Sequence, residues 1–471
     1  MKSSTVGLKS VKNSNATQNL KKQIFLKTGK LDKFLLAQVA WCTIPAYLLV
    51  RMGQFRAGTI WCFVCLGAFL AWYALKRNIP AFVALTVASL PALEIIRNFF
   101  FYNSILTLLG LGLAFWFVRS PKECSRLWEN QIIRWFFMTG TVYWVVSVLV
   151  TRQYYANLHV MEMLCSAASI YLLALYPKYL ASALTGLSIS IFSVAIGLFG
   201  QGERLGMGII DGQALGQTYI IGFPAVLVLV LAVADNGKWL FLQNSPIVKN
   251  VLIIMCGVLL LLSTSRGSWL TACVGLGVAV FFQSQQRRKI FVGILLMGCV
   301  LVGVLQTQSG EEIMKHFERT TDSESTMREK TSGRTDMWLL FPKVLEDSPI
   351  WGVGPGLGGE AYAYYSWVDK EVTFAKGKKF AWHSIYMHVG VETGMIGLIV
   401  LTIFFSKLIL RVLLYRQVTG NVVPLTGILS FMTVGLFVPG IDGLTGLFLG
   451  LAFLGTTLPE KKIMREIRIP S

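Results

Sequence analysis

An all-α integral membrane protein, with 12 to 14 transmembrane helices and one large extracytoplasmic loop of short helices, is the fold expected of this 471-residue chain. Three observations lead there. The chain is 54% hydrophobic and only 14% charged, against about 25% charged for a soluble domain, and its mean hydropathy is +0.60. Apolar runs of roughly 16 to 22 residues recur along it, the length needed to cross a hydrocarbon core about 30 Å thick. Most lysines and arginines lie between those runs, so the net charge of +19 reports membrane topology and argues against a nucleic-acid partner.

Residues 1–33 carry eight lysines and lead into a full-length apolar run with no small-residue cleavage pattern. They read as a basic, disordered cytoplasmic tail and not as a cleaved leader. Residues 34–305 form the first part of the bundle. Its spans are expected near 34–50, 57–75, 79–96, 100–118, 132–150, 158–176, 180–199, 218–235, 247–264, 267–282 and 289–305. Residues 306–386 hold twelve of the 24 acidic residues and are too long for a plain connector, since loops beyond about 12 to 15 residues are usually functional or disordered. Their aromatics and amphipathic stretches predict short helices over the membrane. Residues 387–457 complete the bundle with spans near 387–406, 422–439 and 443–457. The last two are short and interrupted by Pro439 and Gly440, so they form either two crossings or one re-entrant pair. Residues 458–471 are a second cytoplasmic tail.

With the N-terminus cytoplasmic, the basic clusters at Lys76 and Arg77, at Arg119, Lys122 and Arg126, at Arg287, Arg288 and Lys289, at Lys407, Arg411 and Arg416, and in the C-terminal tail all fall inside. That satisfies the positive-inside rule and puts 306–386 outside. The eight cysteines sit within or beside apolar runs, except Cys124 in a basic loop. The C-x-x-C of Cys62 and Cys65 lies inside an apolar run and reads as packing in preference to redox or zinc chemistry. No internal repeat is evident, which weakens an inverted-repeat transporter.

Four segments on the expected outer face combine cations with glycine. Residues 200–206 read G-Q-G-E-R-L-G, where exposed backbone N–H groups and the Arg204 guanidinium suit an oxyanion, or the arginine is simply solvated on a flexible loop. Arg266, in S-T-S-R-G between two long apolar runs, either snorkels to the interface or faces a polar cavity. Arg334 and Trp338 are four apart on one helical face, ahead of a glycine-rich turn at 349–358; they mark either a site or a packed amphipathic helix. His383 in W-H-S-I-Y precedes the run containing Glu392, where an imidazole either accepts a proton from a hydroxyl or caps a helix. Should Arg204, Arg266, Arg334 and His383 meet, the arginines would stabilise a diphosphate leaving group while the imidazole assists an incoming hydroxyl. No metal and no cofactor are expected: His383 and His388 are five apart, and Asp322 with Glu324 is a weak acidic pair. No G-x-S-x-G elbow is present. Glu94 and Glu162, inside apolar runs, are expected to pair with neighbours such as Arg97.

In G-x-E-R-L-G, S-R-G, G-R-x-x-x-W with P-x-x-G-x-G-P-G, and W-H-S-x-Y with E-T-G-x-x-G, residues 190–400 resemble the bacterial O-antigen ligase and polymerase superfamily. The resemblance implies a GT-C-like fold in a bacterial inner membrane. It also implies metal-independent transfer of an oligo- or polysaccharide from an undecaprenyl-diphosphate carrier to an acceptor hydroxyl on a glycolipid or growing glycan. On that basis His383, Arg266 and Arg204 form the expected catalytic set, with Glu392 fixing a helix or the histidine. Arg334, Trp338, Glu392 and Tyr386 are the expected substrate-binding residues. Ser384 stands where members commonly carry Asn, and Gly212 or Gln213 where an Asn is usual near Asp211. Ligase and polymerase are not separated by these motifs, and a transporter or flippase is the competing reading.

Overall fold

The computed structural model describes residues 31–96, 104–152, 158–199, 208–210, 213–215, 219–234, 246–263, 265–282, 334–437 and 443–458. Within these, the chain forms helices α1 (Lys33–Arg51), α2 (Phe55–Leu75), α3 (Ile79–Ile96), α4 (Ser104–Arg119), α5 (Pro121–Glu129), α6 (Gln131–Leu149), α7 (Leu158–Leu173) and α8 (Pro177–Leu198). A hairpin of β1 (Gly208–Ile210) and β2 (Gln213–Leu215) follows. Then come α9 (Tyr219–Ala234), α10 (Pro246–Leu262), α11 (Arg266–Phe282), α12 (Arg334–Asp347), α13 (Gly358–Val368), α14 (Ile385–Thr419), α15 (Val423–Val434) and α16 (Gly443–Phe453).

Every apolar window of the sequence inside the described residues carries a helix, and the window at 289–305 lies outside them. Five helices, α1, α2, α6, α8 and α14, are long and apolar enough to cross a membrane. The bent pair α4 and α5 makes a sixth candidate. The shorter apolar helices pack among them. Residues 221–234 of α9 are buried throughout, the pattern of a helix apolar all round and enclosed by its neighbours. On α16, Gly446 and Gly450 present no side chain to α7: a Cβ on Gly446 would lie 2.6 Å from the Met163 carbonyl oxygen, and one on Gly450 would lie 2.6 Å from Cβ of Ile170. Small residues four apart allow this approach, and apolar solvent offers helices little other reason to associate.

Three local features depart from the expected plan. The glycine-rich segment between α8 and α9, expected as a loop, contains a short hairpin: Gly208 pairs with Leu215, Ile209 with Ala214 and Ile210 with Gln213 in antiparallel register. The intervening Asp211-Gly212 dipeptide is the usual sequence signal for such a two-residue connection. The basic loop at 120–129 is helix α5, turned 107° from α4. Ser120 has φ −134° and ψ 61°, because a residue preceding proline is driven out of the helical region and Pro121 then starts a new helix without needing its missing N–H. Glu162 finds His159 as a partner at 3.2 Å, and Arg97 lies outside the described residues.

The third departure is inside α14, which breaks at Gly394 (φ 62°, ψ −157°) into a short segment, 385–393, and a long apolar one, 395–419. Only glycine adopts that backbone without strain. A methyl group there would also collide with the Ile350 carbonyl. Gly394→Ala should therefore lower the thermal unfolding midpoint in detergent, at a cost of about 1–3 kcal/mol from backbone strain alone. Gly277→Ala, at a helical glycine with open space around it, should leave the midpoint unchanged or slightly raised. Equal midpoints for the two variants would refute the strained break.

Candidate functional site

Helices α12, α13 and the short first segment of α14 enclose a small core of their own, built on Met337, Leu340, Val344, Tyr362, Val372, Trp382 and Val391. Trp382 is fully buried, and its Nε1 donates to the Gly358 carbonyl at 2.9 Å. Asp336, also buried, accepts from the backbone N–H groups of Thr373 and Phe374 at 3.0 and 2.9 Å and holds that loop against α12. These contacts fix the residue that follows Trp382. The His383 backbone N–H points at Met337 Sδ, 3.3 Å away, and its ring stands edge-on to Phe380 with centroids 5.0 Å apart.

Arg334 opens α12. Its Nη2 approaches the Phe437 carbonyl at 3.5 Å, and its guanidinium lies 5.8 Å from the Phe437 ring centroid. The start of α11 meets the same phenylalanine, since a Cβ on Gly267 would lie 2.9 Å from Cβ of Phe437. Phe437 thus bridges two chain segments that begin with arginine. The electrostatics agree: burial, and then the charge of Arg266, lowers the Arg334 pKa from its ordinary value. Burial, and then Arg334, depresses His383 to about 4. Arg266, Arg334 and His383 therefore form one cluster, although 117 residues of sequence separate the first from the last (383 − 266). Arg334 Nε is buried and has no hydrogen-bond partner among the described residues, which leaves a donor available to an oxyanion. The imidazole is neutral at ordinary pH and so able to accept a proton.

Glu392 lies behind this cluster in a different role. It is buried and gathers the glycine turn. Gly356 N–H donates to Oε2 at 2.6 Å and Gly358 N–H to Oε1 at 3.0 Å. The Tyr143 hydroxyl of α6 also donates to Oε2, and His388 Nε2 sits 3.4 Å from Oε1. The histidine beside Glu392 is thus His388, one turn earlier on the same segment, and not His383. Backbone bonds from Val353 N–H to the Val391 carbonyl (2.8 Å), from Gly354 N–H to the Glu392 carbonyl (3.1 Å) and from Met395 N–H to the Pro349 carbonyl (2.9 Å) lay the turn along the break in α14. Gly352, Gly354 and Gly356 all have positive φ, which is why the turn needs glycines.

The other expected site residues divide. Trp338 is half exposed on the face of α12 that starts at Arg334. Tyr386 faces the bundle: its hydroxyl donates to the Met432 carbonyl at 3.0 Å and its ring meets Phe405 at 6.2 Å. Arg204 lies outside the described residues. Phe437, Tyr143 and His388 were not legible as site residues, because the first two lie in apolar runs and the third has only an i, i+4 relation to Glu392 to single it out. Among the described residues, no three His, Cys, Asp or Glu side chains group closely enough to hold a metal ion.

The segment carrying this cluster can be compared with known proteins. Residues 251–402 match the O-antigen ligase family. The matched segment contains Arg266, Arg334, His383 and Glu392 and does not reach back to Arg204. One curated relative is the "Exopolysaccharide production protein ExoQ" of Rhizobium meliloti (strain 1021), 26% identical over 269 residues. That match covers 54% of this chain and 58% of the relative, so the likeness extends over little more than half of either protein. The matched segment and the apolar helices point to a multi-pass membrane protein.

Proposed function

We propose that the chain is a membrane glycan transferase that moves an oligo- or polysaccharide from an undecaprenyl-diphosphate carrier to an acceptor hydroxyl. The observation that carries this is the convergence of the half-buried Arg266, Arg334 and His383, drawn together by Phe437 and Met337. Two guanidinium groups suit the two phosphates of a departing diphosphate, and a neutral imidazole beside them suits the incoming hydroxyl. In the step envisaged, the acceptor oxygen bonds to the anomeric carbon and the carbon–oxygen bond to the diphosphate breaks. The diphosphate leaves with the electron pair, and the hydroxyl proton passes to His383. Arg204, on the segment preceding α9, would complete the cationic wall, and Trp338 offers an exposed aromatic face for the glycan. In this reading the bundle crosses the membrane 12 to 14 times in a GT-C-like arrangement, with 306–386 on the extracytoplasmic side of a bacterial inner membrane.

A second reading differs only in the acceptor. The exopolysaccharide role printed for the ExoQ relative favours a growing glycan over a glycolipid, which would make the chain a polymerase. Both readings are tested by incubating the purified protein in lipid with undecaprenyl-diphosphate glycan, with and without EDTA. Transfer to a hydroxyl with release of carrier diphosphate is expected in both conditions. An unchanged carrier with every acceptor offered would overturn the proposal, and vectorial movement of an intact carrier would replace it with a flippase.

The pH dependence has a definite sign. Because His383 titrates at about 4 and not near 6.5, the acid limb of kcat/KM, which reports the free protein, should lie well below the ordinary histidine range. An anionic donor offsets the Arg334 charge and should move the acid limb of kcat upward. Arg334→Gln should move the kcat/KM limb upward as well, only in part, since burial is the larger cause. Stability follows the same group: below the unfolded pKa of about 6.5 the unfolded chain takes up the proton first, so stability falls as pH drops from there towards 4. A kcat/KM limb at the ordinary histidine value in the unsubstituted protein would remove His383 from its half-buried, cation-flanked setting.

A further inference from the structure

The glycine turn has an outer side for which no internal contact is recorded among the described residues. Ile350 and Trp351 stand out from it, with Trp351 73% exposed, although the backbone on either side is pinned. A single exposed indole asks for nothing, but one that belongs to a contiguous apolar patch marks a surface that something apolar covers. Its neighbours identify the cover. The bonds from Met395 N–H to the Pro349 carbonyl (2.9 Å) and from Ile396 N–H to the Ile350 carbonyl (3.4 Å) set the turn against the start of the 395–419 segment of α14. That helix exposes Met395, Ile396, Ile399, Val400 and Ile403 as one stripe. On the other side, the Thr151 hydroxyl donates to the Pro355 carbonyl at 2.6 Å, at the end of α6, where Leu149 and Val150 are exposed. Helices α6 and α14 are the two least covered of the five membrane-span candidates. The turn therefore closes over the ends of two lipid-facing helices on one side of the bilayer, and its apolar side continues their stripes. Arg152, exposed one residue beyond Thr151, adds a cation at the same level, where lipid phosphates lie.

We propose that Ile350 and Trp351 seat in the lipid interface, making the glycine turn a bilayer anchor. Indole rings favour this boundary, where the ring is covered and the N–H stays wet. The anchor and the cluster share one support. Glu392 ties the turn to the segment that carries His383, so the depth of Trp351 sets the height of the cationic cluster above the acyl chains. The inference rests on α6 and α14 spanning the membrane and does not depend on the transferase reading.

The test uses the full chain in nanodiscs of phosphatidylethanolamine and phosphatidylglycerol, with p-benzoylphenylalanine placed singly at positions 351, 400 and 371, all exposed in the structure. Lipid adducts are measured by mass spectrometry after irradiation. Position 400, on the α14 stripe, and position 351 should both label, each several-fold above position 371 beside α13. Labelling at 400 with none above the 371 level at 351 would overturn the anchor alone and leave the transferase reading untouched. Failure at both 400 and 351 would overturn the spanning of α14 and the anchor with it.

Discussion

Replacement of His383 by Ala is expected to reduce glycan transfer about 10²- to 10⁴-fold, the contribution of a positioned proton acceptor. The fold should tolerate it. The contact of His383 with Met337 is made by its backbone N–H, which alanine keeps, and the ring's edge contact with Phe380 lies at the border of the small core. The protein should therefore extract, unfold and bind the carrier much as the unsubstituted chain does. Replacing Arg334 should have a different signature, weakening carrier binding together with turnover, because a guanidinium on the diphosphate acts in the ground state as well as in the transition state. Steady-state kinetics with carrier-linked glycan separate the two. A His383→Ala protein that keeps more than about a tenth of the transfer rate would fall outside the range for such a group and would end its assignment as the base.

Glu392 should behave in the opposite manner, with stability failing first. Its carboxylate receives the buried N–H groups of Gly356 and Gly358 and the partly buried hydroxyl of Tyr143. Glu392→Ala strands these donors, and each unsatisfied buried donor costs about 1–3 kcal/mol. Glu392→Gln keeps one oxygen acceptor and turns an N–H₂ group towards donors, so it should recover only part of the loss. The expected results are a lowered thermal midpoint, new protease cleavage within 349–358 and a proportionate fall in activity. Unchanged midpoints and protease patterns in both variants would show that the turn is held by its backbone bonds to α14 alone. His383→Ala, which lacks the stability phenotype, is the internal contrast.

How far the sequence could be read depends on how local the cause of each feature is. Helices α1 to α4, α6 to α11 and α14 to α16 were legible, because an apolar run of the right length must satisfy its backbone internally wherever it sits. Arg266, Arg334 and His383 were legible as candidates because each places a polar or charged group beside apolar runs where packing does not ask for one. The α5 turn and the hairpin have short-range signals, Ser120-Pro121 and Asp211-Gly212, which hydropathy over a span-length window averages away. The break at Gly394 was harder: the E-T-G-M-I-G stretch is as apolar as its surroundings, and the need for glycine comes from Ile350, 44 residues earlier (394 − 350).

The sequence by itself determined that this is a helical membrane protein, roughly where its long apolar helices lie, and which few cations and histidines are candidates for its chemistry. These follow from run length, charge bias and residue type, all of them local quantities. The tertiary structure alone decided that Phe437 brings the Arg266 and Arg334 ends together, that Glu392 serves the glycine turn and His388 in place of His383, and that Tyr143 of α6 joins them. Each of those is a contact between segments far apart in the chain, set by helix packing and by the need of buried donors for an acceptor, and neither leaves a mark on the residues nearby.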